Sequence, residues 1–381
     1  MKIRKVTAAD LKLGMLIPWN VYGENGALLV RKGHMIASAN QIDYLVERGS
    51  FEDHSGQYET AREPDSALRK LNAASLELQT LLQAVSRRAA PPDLRRRLDE
   101  VALLVTDAVA VNADVAVATI LHNQRAAPYA VRHCIDTAVV AQFLAKAKQL
   151  SPEETASLTL AALTMNVAML EQHQRLQDSR LELSAADRAA VQAHPEAGVQ
   201  LLRLAGIADQ AWLDCILHHH ENEDGSGYPL RKSGAQIPPL ARLLALADRY
   251  CARVAERAWR KTMTPHAALR DLLLESNVTV DGNLAALLIR ELGIYPIGTW
   301  VRLINGEIGV VSRRGLQSTT PHVESVIGPR GAPLEVFLQR DTRAEMHGIR
   351  EVLSLAQLAT LQAPPLRLEQ VWGRSAAVGE Y

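Results

Sequence analysis

Residues 216–230 read ILHHHENEDGSGYPL. The histidines at 218–220 are a quarter of the twelve in the chain, and they stand beside a glycine-rich turn. Neutral imidazole nitrogens suit Zn, Fe and Mn, and carboxylates bridge or complete such shells. A histidine at a helix end also favours the negative pole of the macrodipole. That explains one histidine well and a run of them poorly. Glycines at 225 and 227 let the backbone approach a bound group closely, and Pro229 fixes the exit of the chain. The stretch therefore reads as a metal or phosphate site. Further donors are His133 in YAVRHC, His194 in QAHPEAG and Asp248 in LALADRY. His122, His173 and His322 are equal candidates from local context, so spacing alone does not choose the set.

These donors must be positioned by helices. From 126 to about 275 the chain is rich in Ala and Leu and predicts helices over 129–147, 152–173, 184–203, 209–220, 237–257 and 264–275. SPEE (151–154) and SAAD (184–187) are capping signals that open two of them. Ahead of this core, helical periodicity covers 67–88 and, after Pro91-Pro92, about 93–125. The first fifty residues read as short strands with turns. Asn25-Gly26 marks a hairpin, and a short helix follows with Ser38 as N-cap and Gly49 as its stop. Residues 50–66 are polar and aperiodic. After 293 the alternation around Asn305-Gly306 predicts a second β-rich piece.

The expected organisation is a mainly α protein. It has a small β-rich accessory domain (1–53, sensing or interaction), a linker (54–66), a helical connector (67–125) and a helical core (126–292). A β-rich C-terminal appendage (293–360) and a poorly ordered tail (361–381) complete it.

The bulk numbers bound the function. The 381 residues suit two or three domains. Hydrophobic residues are 48% and charged residues 22%, ordinary for a globular protein. Lys+Arg and Asp+Glu are both 42, so no net field recruits DNA, and no DNA partner is expected. The start lacks an apolar signal region. The most apolar stretch, 101–121, is interrupted by Asp107, Asn112 and Asp114, so no membrane span is expected. Cysteines at 134, 215 and 251 form no CxxC pair, and their odd count fits a reducing cytosol.

HHENEDGSGYP (219–229) resembles the HHExxDGxGYP signature of the HD-GYP family, metal-dependent bacterial phosphodiesterases of cyclic di-GMP within the HD superfamily. YAVRHC, AHPEAG, IPPLARLLALADRY and GIYPIGTWVRLINGE are similar to further family segments, so the resemblance covers nearly the whole chain. It implies an HD-superfamily helical core. It implies metal ligands at His133, His194, His219, His220 and Asp248. The histidines at 194, 219 and 220 would belong mainly to one metal, and His133 with Asp248 to another. It implies ligand contacts from Gly227, Tyr228 and Pro229, and from the basic residues Arg242, Arg257 and Arg260. A solvated helix face is the plainer reading of any one of these arginines.

The sequence departs from the family where the His-Asp pair of LLHDIGK should stand. LTMNVAM (163–169) puts Met165 at the histidine, Asn166 at the aspartate and Met169 at the lysine. Neutral Asn166 cannot bridge two metals as an anion, a soft thioether does not suit a hard hydrolytic centre, and Met169 offers phosphate no proton or charge. Cys251 stands where a second aspartate is frequent. No catalytic residue of that pair is intact. The expected protein is a degenerate member of cyclic di-GMP signalling. It binds the nucleotide or a partner through the GYP face, with two-metal hydrolysis impaired or lost and one divalent metal (Fe, Mn or Zn) or none. An active phosphodiesterase with a reduced metal site is the first alternative, and a pure interaction scaffold the second. The partners implied are cyclic di-GMP, a signalling protein such as a GGDEF-type domain, and a second copy of the chain.

Overall fold

The computed structural model describes residues 2–24, 26–36, 38–53, 65–123, 126–179, 184–256, 262–276 and 278–377. The chain opens with β1 (Lys2–Lys5), β2 (Val21–Tyr22), β3 (Leu28–Val30), α1 (Ala39–Arg48) and β4 (Ser50–Asp53), the strands forming an antiparallel sheet in the order β1-β4-β2-β3. Ser38 caps α1 by accepting from the Gln41 amide, and Gly49 ends it, as expected. Gly49 is required by space: a Cβ there would lie 2.5 Å from the Leu45 carbonyl oxygen. Asn25 of the predicted hairpin lies outside the described residues, but β2 and β3 do pair.

Helices then follow: α2 (Ala67–Ser86), α3 (Leu94–Val111), α4 (Ala113–His122), α5 (Tyr129–Ala147), α6 (Pro152–Thr164), α7 (Leu170–Asp178), α8 (Ala185–Leu204), α9 (Gln210–His218), α10 (Pro239–Val254), α11 (Pro265–Leu274) and α12 (Gly282–Leu292). Both capping boxes form, Ser151 with Glu154 and Ser184 with Asp187. The periodicity over 93–125 is divided at Asn112, whose side chain accepts from the Val115 amide and so starts a new helix. The predicted helix 152–173 likewise breaks, at Met165 and Asn166. Helix α5 is buried nearly throughout its length and packs against α6, α7, α10 and α12. A helix covered on all sides shows little amphipathic pattern, which fits its even apolar texture.

The chain closes with β5 (Trp300–Leu303), β6 (Ile308–Arg313), β7 (His322–Ile327), β8 (Pro333–Asp341), β9 (Ile349–Val352), α13 (Leu355–Thr360) and α14 (Leu368–Trp372). This second antiparallel sheet has the order β8-β7-β6-β5-β9. At the Asn305-Gly306 turn only Gly306 takes positive φ, at 89°. The expected disorder of the tail is corrected for residues 361–377. Trp372 Nε1 donates to the Ser312 carbonyl at 2.8 Å, and Ser66 Oγ donates to that of Ala377 at 2.7 Å. Aromatic anchoring and a buried hydrogen bond hold a segment whose local sequence carries little pattern.

Two compact units result. One comprises Met1–Arg69, Val111–Ala118 and Tyr295–Tyr381; the other comprises Lys70–Ala110 and Thr119–Ile294. Both sheets belong to the first unit. Val336 of β8 joins the apolar cluster built by Ile17, Val21, Leu45 and Phe51, which is why the two ends of the chain fold as one body. Among the described residues no single helix is long and apolar enough to cross a membrane.

Candidate metal centre

Consecutive side chains on a helix diverge by about 100°. His219 and His220 escape this because α9 stops at His218, with His219 as its C-cap. Their rings come to a centroid distance of 4.0 Å, and that of His194 from α8 lies 5.2 Å and 5.0 Å from them. One ligating nitrogen from each falls within a 4.8 Å cluster.

Backbone features orient two of these rings. Pro195 has no amide hydrogen, so the Val191 carbonyl loses its helical partner. His194 Nδ1 donates to that carbonyl at 2.6 Å. The end of α9 leaves the Ile216 carbonyl without a continuing helix, and His219 Nδ1 donates to it at 2.7 Å. Both rings then present bare Nε2 lone pairs, 3.3 Å apart. Two acceptors at that range repel unless a cation or proton joins them. Metal–nitrogen bonds of about 2.1 Å in tetrahedral geometry place ligand nitrogens about 3.4 Å apart. The trio therefore fits one divalent ion.

Electrostatics favour the ligand form. Burial first, then the charge of His219, pushes the pKa of His194 down to about 3. Burial also lowers His219 and carries His220 well below the ordinary range, with His219 and His194 adding to the latter. Each shift favours the neutral imidazole, the form that coordination requires.

His133 and Asp248 form a separate arrangement. His133 Nε2 on α5 bonds Asp248 Oδ1 on α10 at 2.7 Å. Burial opposes the Asp248 charge, but the bond and charge of His133, with His220 and His219, hold the carboxyl well below its ordinary range. His173 packs edge-on to His133 and Tyr129 and not among the trio. His218 donates its Nδ1 to the Asp214 carbonyl at 2.8 Å, a helix-end contact. His322 lies on β7, in the other unit.

The residues at the divergent motif are inside. Met165 is fully buried, Asn166 follows it in a turn, and Met169 closes the short 3-10 turn beyond. Gly198 of α8 faces the Met165 carbonyl, which an added Cβ would meet at 3.8 Å. All three cysteines are free and buried. Burial, then the charge of Asp136, raises the Cys251 thiol well above its usual range.

The glycine turn is anchored by Glu221, a residue the sequence reading left unassigned. Its carboxylate accepts from the amides of Leu230 at 2.7 Å and Lys232 at 3.0 Å, closing the loop on itself. Gly227 crosses so close that a Cβ would lie 2.5 Å from the His220 carbonyl oxygen. Tyr228 donates its amide to that carbonyl at 3.1 Å and stacks on the His220 ring at 4.7 Å. The Tyr228–Pro229 peptide is cis. Arg249, also unassigned, donates to the Thr279 carbonyl at 2.6 Å, the Glu221 carbonyl at 3.3 Å and Asn222 Oδ1. Its signal was adjacency to Asp248 in ADRY. Arg242 is engaged with the same loop: its guanidinium lies 3.3 Å from Glu223 and 3.5 Å from Asp281 and donates to the Gly234 carbonyl. Arg257 and Arg260 lie outside the described residues. A groove of about 460 Å³ opens between the turn 225–229 and Gln192 on α8.

Comparison with known proteins fits this geometry. The HD domain family matches residues 112–284. The chain is 30% identical over 205 residues to a cyclic di-GMP phosphodiesterase of Pseudomonas aeruginosa, covering 53% of this chain and 49% of that one. It is also 30% identical to the cyclic di-GMP phosphodiesterase response regulator RpfG of Xanthomonas campestris, over 40% of each chain. A Vibrio cholerae 3'3'-cGAMP-specific phosphodiesterase is 29% identical over 44% of this chain and 36% of its own. Among solved structures, an HDG"Y"P protein of Bdellovibrio bacteriovorus shares the fold, with a TM-score of 0.50 and 16% identity over 75% of this chain and 98% of that one. Residues 112–284 thus match an HD domain, in a chain similar to cyclic di-GMP phosphodiesterases. The chain spans about half, or less, of the length of the curated relatives it matches. The resemblance to the HD-GYP signature rests on the whole set of similar segments, with Met165-Asn166 at the place of its adjacent His-Asp pair.

Proposed function

We propose that this HD-GYP domain works by binding, with two-metal hydrolysis lost. It takes cyclic di-GMP, or a signalling partner such as a GGDEF-type domain, against the GYP turn. The observation that carries the reading is the split of the donors: a trio that fits one ion, and His133 and Asp248 bonded to each other through Nε2 and Oδ1. Asn166 supplies no anion to bridge a second ion, and Met165 and Met169 supply neither a hard ligand nor a proton. One ion held by His194, His219 and His220 would supply Lewis acidity beside Tyr228 of the turn. The chain's own residues do the rest: Glu221 and Arg249 fix the turn, and Tyr228 covers His220. The sheet-bearing unit serves as the sensing or interaction module, and the protein acts in the cytoplasm.

Calorimetry with cyclic di-GMP, beside a turnover assay in Mn or Fe, tests this reading. Saturable binding without turnover is the expected result, and rapid hydrolysis by pure protein overturns it. A second reading, a mononuclear phosphodiesterase, is favoured by the intact trio alone. It requires tightly held metal by elemental analysis and activity that His219→Ala abolishes.

A further inference from the structure

A cavity of about 560 Å³ lies wholly within the sheet-bearing unit and shares no lining residue with the histidine site. Its walls come from the turn after β3, from the sheet strands β6, β7 and β8, and from the tail around α14. Arg31, Arg313 and Arg374 line it from these three sources. None of the three has an ion pair or a side-chain hydrogen bond among the described residues. The neighbouring arginine on the same sheet behaves differently. Arg340 holds Glu307 with two bonds of 2.7 Å and is a structural pair. The cavity arginines have no such assignment.

One further residue, Gln339, points the same way. Its Nε2 and Arg374 Nε are buried N–H groups without an acceptor among the described residues. Buried donors are rarely left so, and these two sit on opposite sources of the same wall. The cavity is lined by the carboxylates of Asp65, Asp114 and Glu324 against the cationic side chains of Arg31, Lys32, Arg313 and Arg374. Glu324, 8% exposed, is raised to about 7 by burial, against the pull of Arg31 and Arg313. Asp114 is raised by burial as well. The remaining lining includes Phe337 and Trp372, flat apolar surfaces of the kind that hold the body of a small ligand. The volume matches a metabolite and exceeds what a lone inorganic ion needs.

We propose that this cavity binds a small organic oxyanion. Its carboxylate or phosphate head is held by Arg31, Arg313 and Arg374, and its body lies against Phe337 and Trp372. Guanidinium groups match both head groups with paired hydrogen bonds. The site stands independently of what the histidine core binds.

Titration calorimetry of the full chain with succinate, glycerol 3-phosphate and GMP tests it. At least one probe is expected to bind saturably, and the preference between succinate and glycerol 3-phosphate identifies the head group. Arg31→Gln with Arg374→Gln should weaken that binding about tenfold or more, equivalent to about 1.4 kcal/mol, with unchanged circular dichroism and unchanged metal content. Gln339→Leu removes one unpaired donor without altering charge and should weaken the same probe by a smaller factor. The proposal is overturned if no probe saturates, or if these variants bind as the wild type does. The cavity is then a solvent cleft.

Discussion

His194, His219 and His220 aim bare ring nitrogens at one another, whereas His133 and Asp248 are already bonded at 2.7 Å. Both sets consist of buried groups on packed helices, and both were nominated for the same task. The difference is in charge balance. Three neutral acceptors have no means of satisfying one another, so the arrangement calls for a cation. An imidazole and a carboxylate form a charge-assisted pair, and here only the buried His133 Nδ1 is left without a hydrogen-bond partner among the described residues. The substitutions at 165 and 166 leave the trio's own residues intact. Neither Met165 nor Asn166 carries an anionic group to place beside His133 and Asp248.

The strongest way to break this comparison is metal analysis. His219→Ala should cut metal affinity by about 100-fold or more, the upper scale for losing a metal-site group, read as metal per chain by elemental analysis. Asp248→Asn should retain the ion. Equal loss in both variants would mean that the two sets act as one centre. The converse experiment rebuilds the missing half. Met165→His with Asn166→Asp should add a second ion and raise cyclic di-GMP hydrolysis by about 10²-fold or more, the scale on which preorganised charged groups act. No gain in either would place the defect elsewhere.

A smaller effect sharpens the role of the turn. Glu221→Ala leaves two amides without their acceptor and should cost about 2–4 kcal/mol in chemical denaturation. Glu221→Gln keeps an acceptor oxygen and should lose less. The last effect concerns protons and is spread over several pH units. His194 has a folded pKa of about 3, below its ordinary 6.5. Between these values the unfolded chain binds a proton that the folded chain does not. The stability from this group is therefore complete above about pH 6.5 and declines as the pH falls toward 3. Metal-free wild type should lose more stability than His194→Gln over this interval, by at most about 1.4 kcal/mol per pH unit. Parallel pH curves would show that His194 is not held neutral by the fold.

Much of the helical core was legible because its signals are local. Capping boxes at Ser151 and Ser184 depend on residues three apart, and both form. The breaks at Asn112 and at Met165-Asn166 were missed because apolar periodicity continues through them. A single cap residue or a tight turn overrides it at little cost in hydrophobic pattern. Glu221 and Arg249 were missed for a related reason. Their partners are backbone carbonyls and amides, which leave no trace in residue type.

The sequence by itself determined the resemblance to the HD-GYP signature, the helical core with β-rich ends, and the placement of Met165 and Asn166 where that signature has His-Asp, since each is a matter of residue identity at fixed spacing. Only the tertiary structure decided which donors meet. His219 and His220 converge because α9 stops at His218, and His194 joins them because Pro195 frees a carbonyl to turn its ring. The joining of the two chain ends was also decided there. It rests on apolar burial between residues some three hundred positions apart, such as Val21 and Val336, which no local pattern encodes.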